Sequence, residues 1–106
     1  MIIRTSVLEG TVAPADQAAF DRHQSEVVLP AIASYPGILG VKLRRTVEAD
    51  EGAPAVYMAF DLHFKSLDDM RAALASPTRQ KVRDLIARGM GPFKGRVYHV
   101  VSSQAD

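Results

Sequence analysis

Ala55-Val56-Tyr57-Met58-Ala59-Phe60-Asp61-Leu62-His63-Phe64 is the stretch that decides the fold. In a β-strand successive side chains point to opposite faces, so every second residue shares a face. One face of this stretch is apolar and comprises Val56, Met58, Phe60, Leu62 and Phe64, whereas the other is mixed and comprises Tyr57, Ala59, Asp61 and His63. The alternation predicts a strand that packs one face under helices and leaves the other face open.

Three more strands are predicted around this one. Residues 38–47 alternate apolar and basic side chains, and the polar loop 48–54 joins them to the central stretch as a hairpin. The β-rich segments 2–8 and 96–102 supply the first and last strands.

Two helical regions separate these strands. Residues 15–34 have helical periodicity, with Pro30 predicted to kink the helix or split off its last turn, and Pro36-Gly37 ends it. Ser66 is the predicted cap of the second region, which restarts at Pro77 and runs to Arg88.

The order β-α-β-β-α-β predicts a ferredoxin-like α+β fold: a four-stranded antiparallel sheet with both helices on one face. Residues 1–106 are interpreted as one domain. The bare sheet face is half apolar, and such a face on a small chain is usually covered by a partner. We therefore expect a homodimer that forms through the open sheet face.

Composition excludes several classes of protein. The chain has 106 residues with 13 basic and 12 acidic side chains, so it offers no basic field for nucleic acid or for an anionic membrane. It has no cysteine, which excludes disulfides and thiol chemistry. No apolar stretch approaches the roughly 20 residues of a membrane span, and a cytoplasmic location is expected. His63 and His99 fall about 10 Å apart at two strand spacings, so no metal site is predicted.

Several motifs together resemble one family. They are the Phe-Asp-x-His element Phe20-Asp21-Arg22-His23, the turn Tyr35-Pro36-Gly37, the strand segment 60–64, the helix start Lys65-Ser66-Leu67-Asp68-Asp69-Met70 and the segment Ala72-Ala73-Leu74-Ala75-Ser76-Pro77. In this order they are similar to the EthD-like family of dimeric α+β barrel proteins, over residues 2–101.

The resemblance implies a homodimer with facing sheets and a small-molecule pocket in each subunit between sheet and helices. Family relatives include cofactor-free isomerases, cyclases and monooxygenases, and EthD-type members are associated with oxidative degradation of ethers. Many members carry an acidic residue ahead of the phenylalanine that precedes the last strand. Segment 88–93 keeps that Phe93 but lacks the acid.

His23 is the predicted acid–base residue, because it lies at the margin of the first helix's apolar stripe, where an imidazole can reach a cavity. Tyr35 is its predicted helper. Ordinary boundary and core packing is the alternative interpretation of both residues. The side chains expected to bind the substrate, with core packing again the alternative, are Phe20, Val27, Met58, Phe60 and Phe93.

Two functions are therefore expected as hypotheses. The first is a small catabolic enzyme that acts on an apolar or aromatic compound without a cofactor. The resemblance favours oxidoreductase or monooxygenase chemistry, and isomerase or cyclase chemistry next. The second is a non-catalytic ligand-binding accessory protein of an oxidative degradation pathway.

Overall fold

The computed structural model describes residues 1–105, and it confirms the predicted ferredoxin-like α+β fold. Its elements are β1 (Ile2–Val12), α1 (Pro14–His23), a π-helical turn (Gln24–Val28), α2 (Leu29–Ala33), β2 (Gly40–Arg45), β3 (Val56–Phe64), α3 (Leu67–Leu74), α4 (Thr78–Ala87) and β4 (Phe93–Ser103). The strands form one antiparallel sheet in the order β2-β3-β1-β4. Each of the helices among residues 1–105 is too short or too polar to cross a bilayer.

The core lies between the helices and one face of β3. Met58, Phe60, Leu62 and Phe64 are each at most 3% exposed, as the alternation predicts. The second helical region begins where the sequence predicts. The Ser66 hydroxyl accepts a hydrogen bond from the Asp69 backbone N–H at 3.1 Å and caps α3.

The assignment of Tyr57 to the open face was wrong. Leu8 of β1 pairs with Met58, but the next residue, Glu9, pairs with Val56, so Tyr57 is an extra residue in a β-bulge. A bulge interrupts the strict alternation of faces. The Tyr57 side chain consequently points to the helix layer.

Helix contacts of Tyr57 confirm this orientation. Its ring meets the Phe20 ring edge-on at 5.6 Å between centroids, and its hydroxyl donates to the Asp21 carboxylate. The remaining mixed-face positions do face away from the helices, since Asp61 accepts hydrogen bonds there from Thr5 and Arg44.

Pro30 divides the first helical region, as predicted, and the structure shows how. Proline has no N–H, and its ring collides with the carbonyl four residues earlier in a regular α-helix. Here the chain takes a π-helical turn just before it, in which the Leu29 N–H donates to the carbonyl of Gln24, five residues back. The wide turn places Gln24 in the core, where it is 1% exposed.

β1 and β4 extend further than predicted and pair from Ile2 opposite Ser103 to Val12 opposite Phe93. Gly10 and Gly95, which lie outside the predicted strands 2–8 and 96–102, face each other within this ladder. A Cβ on Gly10 would lie 2.1 Å from the carbonyl oxygen of Lys94, and one on Gly95 would lie 2.1 Å from that of Glu9. Glycine therefore allows the two backbones to approach closely.

We predict that Gly10→Ala lowers the free energy of unfolding by about 2–4 kcal/mol, because the added methyl group collides with backbone that cannot move aside. Gly40→Ala is the matched control, since a Cβ on this strand glycine meets nothing within 4 Å. Urea unfolding measures both variants. Equal stability of the two would contradict the close approach of β1 and β4.

Candidate functional site

A cavity of about 220 Å³ lies between the helix layer and the sheet. Its wall is mostly apolar, with side chains such as Leu62 from β3, Val82 and Ile86 from α4, and Met90. An apolar cavity of about 150 Å³ is enough to hold benzene. The space therefore suits a compound with one aromatic ring and a small substituent.

Two of the predicted site residues line this cavity. Tyr35 reaches it from the end of α2, and Phe60 reaches it from β3. The other predicted binding residues, Phe20, Val27, Met58 and Phe93, do not line it. Phe20 instead stacks on Phe93 at 6.1 Å between ring centroids, so these two rings form packing at the other end of the helix layer.

His23 lies outside the cavity wall as well. Its Nε2 is 2.8 Å from the backbone carbonyl oxygen of Leu85, and a carbonyl can only accept, so Nε2 carries the proton and donates. A Cβ on Gly89 would lie 2.1 Å from Cδ2 of this imidazole, so the ring rests directly on the end of α4. In this arrangement His23 joins α1 to α4, and its acid–base role stays a prediction.

His99 is the histidine that the structure brings to the cavity. It lies on β4, opposite Ser6 of β1, in the sheet side of the cavity wall. His99 is exposed as a whole residue, but partial desolvation of its imidazole lowers its pKa, and the positive charges of Arg4 and Arg79 lower it further. The imidazole is therefore neutral near pH 7 and can accept a proton. Sequence reasoning weighed His99 only as a metal ligand, although Val97, His99 and Val101 alternate on one face.

Tyr35 supplies a hydrogen-bond donor, whereas His99 supplies a proton acceptor. Burial raises the pKa of its phenol, and the charges of Arg79, Arg4 and Arg83 offset part of that rise. The phenol is therefore protonated near neutral pH and can donate a hydrogen bond. Only 6% of the residue is exposed.

Gln24 adds an amide to the same wall. The π-helical turn holds it there, and no residue among 1–105 accepts a hydrogen bond from its Nε2. A buried donor without a partner costs about 1–3 kcal/mol, so a fold tolerates few of them. Single-turn π-helices are frequent at functional sites. Helical periodicity in residues 15–34 did not indicate a functional amide at Gln24.

Comparison with known structures identifies the fold. A crystal structure of an ethyl tert-butyl ether D (EthD) family protein from Bacillus halodurans superimposes with a TM-score of 0.77 at 17% identity, covering 99% of this chain and 100% of that one. The chain has the EthD-like fold. SnoaB from Streptomyces nogalater, a cofactor-independent oxygenase, has the same fold, with a TM-score of 0.63 at 18% identity over 99% of this chain and 93% of its own.

Sequence comparison matches less of the chain than structural comparison does. No family model matches the chain. An uncharacterized 11.0 kDa protein encoded in the thcB-thcC intergenic region of Rhodococcus erythropolis is 33% identical over 67 residues, which are 63% of this chain and 65% of that protein. The resemblance to EthD-like proteins is thus confirmed in the fold. Within that EthD-like fold, Met90 lines the cavity in the segment 88–93 that lacks the acid.

We predict that His99 titrates below the ordinary histidine pKa of about 6.5. Arg79→Gln removes one of the two nearby positive charges, so the midpoint should rise toward the ordinary value while burial still holds it down. A pH titration of the imidazole proton resonances by NMR measures this, with His99→Asn assigning the signal. Arg88→Gln, which removes a charge outside the cavity, is the control, and an equal shift there would contradict the proximity of Arg79 to His99.

Proposed function

We propose that the protein is a small-molecule enzyme in which side chains alone perform acid–base chemistry on an apolar or aromatic carbonyl compound. The observation that carries the proposal is the cavity, whose lining includes both the neutral His99 imidazole from the sheet and the protonated Tyr35 phenol from the helix layer. A pair of groups with opposite proton roles is what general acid–base catalysis requires.

The reaction step follows from these protonation states. The neutral imidazole of His99 takes a proton from the carbon next to the carbonyl, and the electron pair of that C–H bond moves to form an enolate. The Tyr35 hydroxyl donates a hydrogen bond to the enolate oxygen and stabilises its negative charge. Return of the proton to another carbon completes an isomerisation.

The same enolate is also the electron-rich species that a monooxygenase-type conversion needs. SnoaB, which shares the fold, is a cofactor-independent oxygenase, and this supports oxygenase chemistry as one outcome of the step. The volume of the cavity favours a substrate with a single ring over a nucleotide-sized compound.

His23 remains the competing acid–base assignment. An imidazole whose Nε2 already donates to a backbone carbonyl can still exchange a proton at Nδ1. Its position on Gly89 at the end of α4 would make any such role depend on movement of that helix end. Comparing variants of the two histidines in one assay separates the assignments.

A ligand-binding accessory protein is the second candidate. The predominance of apolar side chains in the cavity wall supports it, since such a wall binds a ligand without any chemical step. Under this function the cavity takes up the compound and releases it unchanged.

We also propose that two copies pair through the open sheet face. Val100 is 50% exposed on this face, on the edge strand β4, beside Thr5 in the ladder between β1 and β4. Burying that apolar surface requires a partner with the same pattern of side chains, and a second copy with twofold symmetry supplies it.

We predict that the protein accelerates exchange of the methyl protons of acetophenone for deuterium in D2O, because the proposed step removes a proton next to a carbonyl. His99→Asn should reduce the exchange rate at least about 100-fold, whereas His23→Asn should leave it within about 2-fold. NMR spectroscopy of the ketone measures the rate.

Three results of this assay are decisive. A loss of deuterium exchange that is confined to His23→Asn would overturn the assignment of His99 as the acid–base residue in favour of His23. Exchange that no variant changes would contradict both assignments. Bound acetophenone that never exchanges in the wild-type protein would establish the accessory function instead.

We predict that Val100→Asp converts a dimer to a monomer, because the added carboxylate would be buried in the interface on the same face as Asp61. Leu67→Asp is the control, since this exposed leucine lies on α3 at the other side of the molecule. Sedimentation velocity measures the mass. A Val100→Asp variant that still forms the dimer would show that another surface mediates pairing.

A further inference from the structure

Positive charge is concentrated in the cavity wall. Arg4, Arg79 and Arg83 line it, and neither aspartate nor glutamate does so among residues 1–105. The chain as a whole is nearly balanced, with 13 basic and 12 acidic residues. A local excess of three guanidinium groups is thus a property of this site and not of the protein surface in general.

Three arginines outside the cavity, Arg44, Arg45 and Arg96, have carboxylate partners. Arg44 pairs with Asp61 at 2.6 Å, and Arg96 pairs with Glu9 at 2.6 Å. Among residues 1–105, no carboxylate lies within 4 Å of the three cavity arginines. These guanidinium groups therefore keep their hydrogen-bond donors available for another molecule.

The arginines approach the cavity from two sides. Arg4 extends from β1 in the sheet, and Arg79 and Arg83 lie one turn apart on α4. Arg4 and Arg79 are both half-buried, whereas Arg83 is exposed. Burial and the charge of Arg79 together lower the pKa of Arg4, which shows that the two cations lie close enough to repel each other. An anion between them would remove that repulsion.

We propose that the cavity binds a small aromatic carboxylate, with its ring against the apolar wall and its carboxylate held by Arg4 and Arg79. A guanidinium group matches a carboxylate with two parallel N–H···O bonds, and such charge-assisted bonds are about twice as strong as neutral ones. The cavity volume of about 220 Å³ leaves room for one ring beside the charged group. This inference rests on the proposed function, because it assigns a carboxylate group to the aromatic carbonyl substrate of the same cavity.

Binding of benzoate and benzamide tests the proposal, since the two compounds have nearly the same shape but only benzoate is charged. Isothermal titration calorimetry at 150 mM NaCl should give a benzoate affinity at least about 10-fold above that of benzamide. Arg79→Gln should weaken benzoate binding about 10-fold or more and leave benzamide binding within about 2-fold. Arg4→Gln should act in the same way from the opposite wall.

Arg88→Gln is the matched control, because Arg88 follows the last residue of α4 and does not line the cavity. Both affinities should stay unchanged in it. An equal loss of benzoate affinity in Arg79→Gln and Arg88→Gln would show a general charge effect and overturn the proposal.

Failure of this inference can be separated from failure of the proposed function. If benzoate and benzamide bind equally well, the carboxylate proposal is overturned while the cavity still accepts an aromatic ring. If neither compound binds, the carboxylate proposal is likewise overturned, and deuterium exchange into acetophenone decides the proposed function independently.

Discussion

The helix layer depends on one missing hydrogen-bond donor, the backbone nitrogen of Pro30. Because that position cannot continue a regular α-helix, the preceding residues form a wide turn in which Leu29 bonds to Gln24. The turn directs Gln24 into the core. Directly before it, His23 binds the backbone of Leu85 and fixes α1 against α4. The two helical regions that enclose the cavity are thus joined at this irregular turn.

The cavity wall differs from the rest of the core because it contains polar and charged side chains. Elsewhere the buried side chains are apolar, whereas this wall contains a buried amide and guanidinium groups without carboxylate partners among residues 1–105. Such groups lower stability unless something binds them. Departures of this kind concentrate at functional sites in proteins that otherwise agree with their local sequence preferences. These polar groups in the cavity wall therefore favour a bound ligand at this position.

The architecture could be predicted because each element has a local cause. Alternation in residues 56–64, the cap at Ser66 and the break at Pro30 each act over a few residues. The candidate site could be predicted only in part, through Tyr35 and Phe60. The cavity lies between α4 and the strands β1 and β4. Sequence periodicity shows which face of an element a residue occupies, but it does not show whether that face meets a cavity or packed side chains. For this reason His99 and Arg4 were missed. For the same reason the sequence could not show whether His23 meets a cavity or the backbone of another helix.

Methyl NMR spectroscopy of the protein titrated with acetophenone tests the central claim, that the cavity between helices and sheet is the ligand site. Methyl groups on both sides of the sheet report the position of the compound. The account predicts shifts centred on Leu62, Val82 and Ile86, which line the cavity. Shifts confined to the open-face residues Val7 and Val100, or no shifts at millimolar concentrations of the compound, would contradict it.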